Sequence, residues 1–71
     1  MINFETVQKN LREAIRTSGL TQKTIAERTG ITQSTVSKYL RLDALPTLDT
    51  FANLCAVLDV SADELLGIKH K

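Results

Sequence analysis

An apolar residue, then Asn, Thr or Ser, then a second apolar residue five positions after the first recurs along this chain. Ile2 and Val7 bracket Asn3, Leu20 and Ile25 bracket Thr21, Ile31 and Val36 bracket Thr32, and Val60 and Leu65 bracket Ser61; Pro46 and Phe51 bracket Thr47 more loosely. A side-chain oxygen at the N-cap accepts from the free amides of the first helical turn, and the flanking apolar pair closes over the entry as a hydrophobic staple. Five helix starts follow. Ser61-Ala62-Asp63-Glu64 also fits the capping box, in which Ser61 caps the amide three positions on and Glu64 can reach back. Gly19, Gly30 and Gly67 fall where helices begun at those caps finish and a left-handed residue is wanted.

These signals place helices near 4–18, 22–29, 33–41, 48–58 and 62–66, and nothing reads as strand. Phe4, Val7, Leu11, Ala14 and Ile15 share one face of the first helix, and Phe51, Leu54, Cys55 and Leu58 share one face of the fourth. The expected fold class is all-α, a compact bundle of five short helices around one core. A chain of 71 residues has room for one such domain, expected over 1–67, with 68–71 as a tail. Cys55 is alone and cannot close an intramolecular disulfide; with His70 it falls short of a structural zinc set. The opening residues lack a signal-peptide pattern, and the apolar run at 54–58 is far under the ~20 residues of a membrane span. A cytoplasmic protein is expected.

The net charge of +1 hides an asymmetry. Up to residue 41, Lys9, Arg12, Arg16, Lys23, Arg28, Lys38 and Arg41 face Glu5, Glu13 and Glu27; beyond it, Lys69 and Lys71 face Asp43, Asp49, Asp59, Asp63 and Glu64. The basic part could meet a polyanion, although ordinary solvated faces would give the same balance.

Residues 21–41 read as two short helices joined by a tight turn at Thr29-Gly30-Ile31, the layout of a helix-turn-helix. Ala26 lies where the two helices cross closely, Gly30 supplies the turn, and Ile25, Ile31 and Val36 point inward. At about 100° per residue the helix at 33–41 turns Val36, Tyr39 and Leu40 to the core, leaving Ser34, Ser37, Lys38 and Arg41 outside with Gln33 at the first turn. That outer face carries no acid. Glutamine can pair with adenine N6 and N7, lysine can donate to guanine O6 and N7, and small serines let a helix sit deep in the major groove. Gln33, Ser34, Ser37 and Lys38 are the candidate base readers.

The string Leu-Thr-Gln-Lys-Thr-Ile-Ala-Glu-Arg-Thr-Gly-Ile-Thr-Gln-Ser-Thr-Val-Ser-Lys-Tyr-Leu resembles, position for position, the helix-turn-helix of phage repressors, Cro proteins and related bacterial regulators. The resemblance runs on through Pro46-Thr47-Leu48 to Val60-Ser61-Ala62-Asp63-Glu64-Leu65-Leu66-Gly67, so it covers nearly the whole chain. It implies a five-helix DNA-binding domain. It departs at Leu40-Arg41-Leu42-Asp43-Ala44-Leu45, where family members often have a glutamate and a small or glycine-rich stretch. In the family a glutamine opening the second helix holds the DNA backbone, which assigns that role to Gln22, beside Lys23. Thr32, Thr35, Arg41 and Thr47 are further phosphate candidates, Thr47 because it stands at a helix start.

Other residues have plainer readings: Tyr39 as core-edge packing, Cys55 as an inert core thiol, Glu64 as a cap, Asp63 as a solvated acid and His70 as part of the tail. No nucleophile with its base, phosphate loop or metal set stands out, which argues against an enzyme, and no cofactor or small-molecule ligand is expected. The leading expectation is a sequence-specific regulator, a small repressor, binding double-stranded DNA as a homodimer on a near-palindromic operator. Leu42, Leu45 and Leu48 are the candidate dimer contacts. The alternative is an antitoxin or adaptor that holds a protein partner on the same scaffold.

Overall fold

A computed structural model of the chain describes residues 2–68. His70 and most of the expected tail lie outside the described residues. The chain forms α1 (Phe4–Thr17), α2 (Gln22–Thr29), α3 (Gln33–Leu40), α4 (Leu48–Leu58) and α5 (Ala62–Leu66), with no strand among the described residues. The fold is all-α, as the caps and glycines imply. Two helices stop one residue short of expectation: Ser18 and Arg41 are C-caps rather than helical residues.

The starts are made as the cap chemistry dictates, with one exception. Asn3 accepts from the amides of Glu5 and Thr6, Thr21 from Thr24, Thr32 from Thr35, and Ser61 from Glu64. Thr47 makes no side-chain cap bond. Its hydroxyl instead donates to Asp49 Oδ1 at 2.5 Å, because a charged acceptor close by competes better for the proton than the backbone offers. The staples close unevenly: Val7, Ile25, Val36 and Leu65 are buried, whereas Phe51 is half-buried and Ile2 is exposed.

Gly19, Gly30 and Gly67 all have positive φ. Two other residues share that conformation. After α3, Leu42 stands at φ 61° while the Asp43 amide reaches back to Lys38 O and the Leu42 amide to Tyr39 O. That is a Schellman ending built without glycine, where a side chain in the left-handed region costs about 1 kcal/mol. Asp59 ends α4 in the same conformation.

The core is Leu11, Ile15, Ile25, Ala26, Val36, Tyr39, Leu54, Leu58 and Leu65, drawn from all five helices. Leu11, Ile25, Val36 and Leu54 are essentially solvent-free, and each such side chain contributes about 1.5–3 kcal/mol of burial. α2 packs on α3 and α4, and α1 on α3 and α5, so the α2–α3 pair is held by α4 on one side and α1 on the other. Phe4, expected on the buried face of α1, is 71% exposed: it stands in the first turn and lines an open groove with Leu48 and Phe51 instead of closing into the core. Tyr39 is buried to 4% exposure, so it packs and offers no face for a base to stack on. Burial pushes its hydroxyl pKa upward.

Candidate nucleic-acid interface

The turn between α2 and α3 is set by three backbone facts. Gly30 sits at φ 77°, and the amides of Gly30 and Ile31 both return to Ala26 O, at 2.9 and 3.0 Å. A Cβ at Gly30 would meet nothing within 4 Å, so glycine is wanted for its backbone angle and not for space. Ala26, Ile25 and Val36 are all buried in the core that α2 and α3 share. Thr29, the one polar residue classed as buried among the described residues, donates to Ile25 O at 2.6 Å and so closes the last turn of α2.

With Val36 and Tyr39 inward, α3 leaves Gln33, Ser34 and Lys38 exposed and Ser37 half-buried. Gln22 and Lys23, on the first turn of α2, lie on the exposed surface as well. The two groups are joined: Ser37 Oγ donates to Gln22 Oε1 at 2.8 Å. Lys23 and Lys38 take part in neither of the two ion pairs formed among the described residues, Lys9–Glu5 and Arg41–Asp43. Their charges stay available to an anion.

The helix-turn-helix family model matches residues 11–65. The chain belongs to the helix-turn-helix family. It is of the phage-repressor and Cro type, and it is 41% identical over 59 residues to the HTH-type transcriptional regulator ImmR of Bacillus subtilis (strain 168), a match covering 83% of this chain and 46% of that protein. The chain thus spans about half the length of the curated relative it matches. No solved structure matches it.

Around the helix-turn-helix, the remaining candidate phosphate residues are differently placed. Thr32 and Thr35 hydrogen-bond each other at 2.9 Å while Thr32 caps α3, so their oxygens are partly committed. Arg41 is exposed, and its Nε donates to Asp43 Oδ2 at 3.0 Å. The acid-free outer face of α3 therefore ends against an acid supplied by the following loop, which sequence periodicity could not place. Thr47 is bound to Asp49, whose carboxyl is held below its ordinary range by that hydroxyl and by the Thr50 amide. A carboxylate already fills the place an anion would take at the start of α4.

Two supporting residues escape sequence reasoning. Gln8 Nε2 donates to Leu42 O at 3.2 Å, and Asn10 Nδ2 donates to Leu65 O at 3.1 Å, so α1 holds both the loop leaving the helix-turn-helix and the end of α5. The only hint is a polar residue on either side of the apolar stripe of Val7 and Leu11. Asp63, expected as a solvated acid, is half-buried and engaged. Cys55 lies half-buried against the core, and desolvation raises its thiol pKa, which keeps it protonated and unreactive.

The candidate dimer residues divide. Leu48 is 84% exposed and Leu45 40%, but Leu42, at the end of α3, is half-buried. Leu45 and Leu48 join Ile2, Phe4 and Phe51 in an apolar groove of about 400 Å³.

Proposed function

We propose that this chain is the sequence-specific DNA-binding unit of a transcriptional regulator, a small repressor that docks α3 in the major groove. The observation that carries the proposal is the division of α3: Val36 and Tyr39 are buried, while Gln33, Ser34 and Lys38 stand exposed with no acid among them. A protein-binding helix has no need of an acid-free polar face, and a helix that must approach phosphates does. Gln33, Ser34, Ser37 and Lys38 read base edges, with Gln33 at the leading end, where such helices enter the groove. Gln22 and Lys23 hold the backbone, assisted by Thr32, Thr35 and Arg41, while Thr47 drops out because Asp49 already occupies its hydroxyl. Repression follows from occupying the site.

One reading helix of eight residues spans few base pairs, so a homodimer on a near-palindromic operator is the form that multiplies contacts. Leu45 and Leu48 offer the apolar surface for a second copy, and the half-buried Leu42 offers less. The same apolar surface supports the second reading, an antitoxin or adaptor that grips a protein partner there.

The test is selection of bound duplexes from a random pool at moderate salt, followed by binding of the winner and a scrambled duplex across a salt series. The proposal expects an inverted repeat with half-sites about 10 bp apart. Failure to enrich any sequence, with both duplexes bound equally weakly, would remove the reading-helix assignment and favour the protein partner.

A further inference from the structure

We propose that Ser37 is the positioning residue of Gln22, and that its single hydroxyl proton sets the polarity with which both side chains meet DNA. The inference rests on the DNA-binding reading above and adds a division of labour to it. The bond from Ser37 Oγ to Gln22 Oε1, 2.8 Å long, crosses 15 residues of sequence and ties the outer face of α3 to the first residue of α2. Gln33, the other glutamine that opens a helix here, makes no such side-chain bond among the described residues.

A serine hydroxyl has one proton and two lone pairs, and a glutamine amide has an acceptor oxygen at one end and a two-donor nitrogen at the other. When the proton goes to Oε1, the planar amide must turn Nε2 away from Ser37. A phosphate oxygen accepts and cannot donate, so only the nitrogen end of Gln22 suits it. Turned the other way, the same side chain would present oxygen to oxygen. The bond thus selects the binding-competent orientation before DNA arrives and reduces the rotamer freedom lost on docking. Ser37 is left with lone pairs alone, so it can accept from adenine N6 or cytosine N4 and has no proton to give to guanine O6 or N7.

The experiment measures binding of a scrambled duplex, on which base reading contributes nothing, by the wild-type chain and by Ser37→Ala, Ser37→Thr, Gln22→Ala and the Ser37→Ala/Gln22→Ala double variant. Binding is read well below the melting temperature of every variant, so that lost folding is not scored as a lost contact. Ser37→Ala is expected to weaken scrambled DNA by about 2- to 10-fold, the range of one net hydrogen bond, and Ser37→Thr to restore it. In the Gln22→Ala background, Ser37→Ala should add nothing. Scrambled binding unchanged by Ser37→Ala, or an equal loss in both backgrounds, would overturn the proposal while leaving the DNA-binding reading intact. A wild-type chain that binds neither the scrambled nor any selected duplex would overturn both.

Discussion

On the α2–α3 face, the side chains that reach solvent are Gln22, Lys23, Gln33, Ser34 and Lys38; at the groove beside α4 they are Ile2, Phe4, Leu45 and Leu48. Both surfaces stand on the same buried residues, since α2 packs on α4 as well as on α3. The first is ordered by the local Thr21 and Thr32 caps and Gly30 turn and by the tertiary Ser37–Gln22 bond. The second has neither polar anchors along its lining nor a working cap at Thr47. A face that must offer donors and acceptors in fixed directions gains from being arranged in advance, because each mobile polar side chain costs binding free energy when it is fixed. An apolar surface gains mainly from area, and tolerates looser geometry.

If the two surfaces share a core yet act separately, substitutions should sort into three kinds. The largest effect belongs to the core: Leu54→Ala should cost about 2–5 kcal/mol of stability, enough to threaten folding, and chemical denaturation followed by circular dichroism would measure it. Next, Gln33→Ala should leave the melting temperature alone and reduce discrimination at one base position by about 1–3 kcal/mol; unchanged base preference across single-substitution operators would strike Gln33 from the readers. Lys23→Ala should weaken all duplexes alike and lower the salt slope by about 1, so a loss confined to one base pair would contradict its phosphate role.

Leu48→Ser sharpens the comparison from the other side. Its side chain is exposed, so stability should move by less than about 0.5 kcal/mol, while self-association seen by sedimentation falls. The smallest effect is that of acid. Glu5 and Asp49, next in sequence to Phe4 and Leu48, have carboxyls held below their ordinary range, Glu5 by a hydrogen bond and the charge of Lys9, and Asp49 by Thr47 and the Thr50 amide. A lowered folded-state pKa stabilises the fold above the unfolded carboxyl pKa, and the contribution disappears as pH falls through the folded value. Melting temperature against pH should therefore fall slightly less steeply on the acid side for Asp49→Asn than for the wild type.

What could be read from the sequence was what neighbouring residues decide. A cap and its amide lie three residues apart, as do Thr21 and Thr24 or Ser61 and Glu64, and a glycine's left-handed angle needs no partner at all. The inward set Ile25, Ala26 and Val36 was legible for the same reason, because helical periodicity fixes a face within two turns. The exposure of Phe4 was not, since it depends on how closely α4 packs against the start of α1. Nor was the failure of Thr47 as a cap, which turns on a competition with Asp49 that spacing alone cannot decide. Leu42 holds the left-handed position that composition would reserve for glycine, in a connection that Gln8 of α1 also grips through Leu42 O. On the candidate site, the residue types and their shared face were visible in advance, but the pairings were tertiary: Ser37 with Gln22, and Arg41 with Asp43 closing the end of α3.

In the proposed mode of binding, DNA meets the outer face of α3 and leaves the apolar groove untouched. Backbone amide shifts followed by NMR while the selected duplex is added test it residue by residue. The account predicts that the largest changes fall at Gln22, Lys23 and along Gln33 to Lys38, with Phe4 and Leu48 nearly still in a preformed dimer. Changes concentrated at Phe4, Leu45 and Leu48 with α3 unmoved would contradict it.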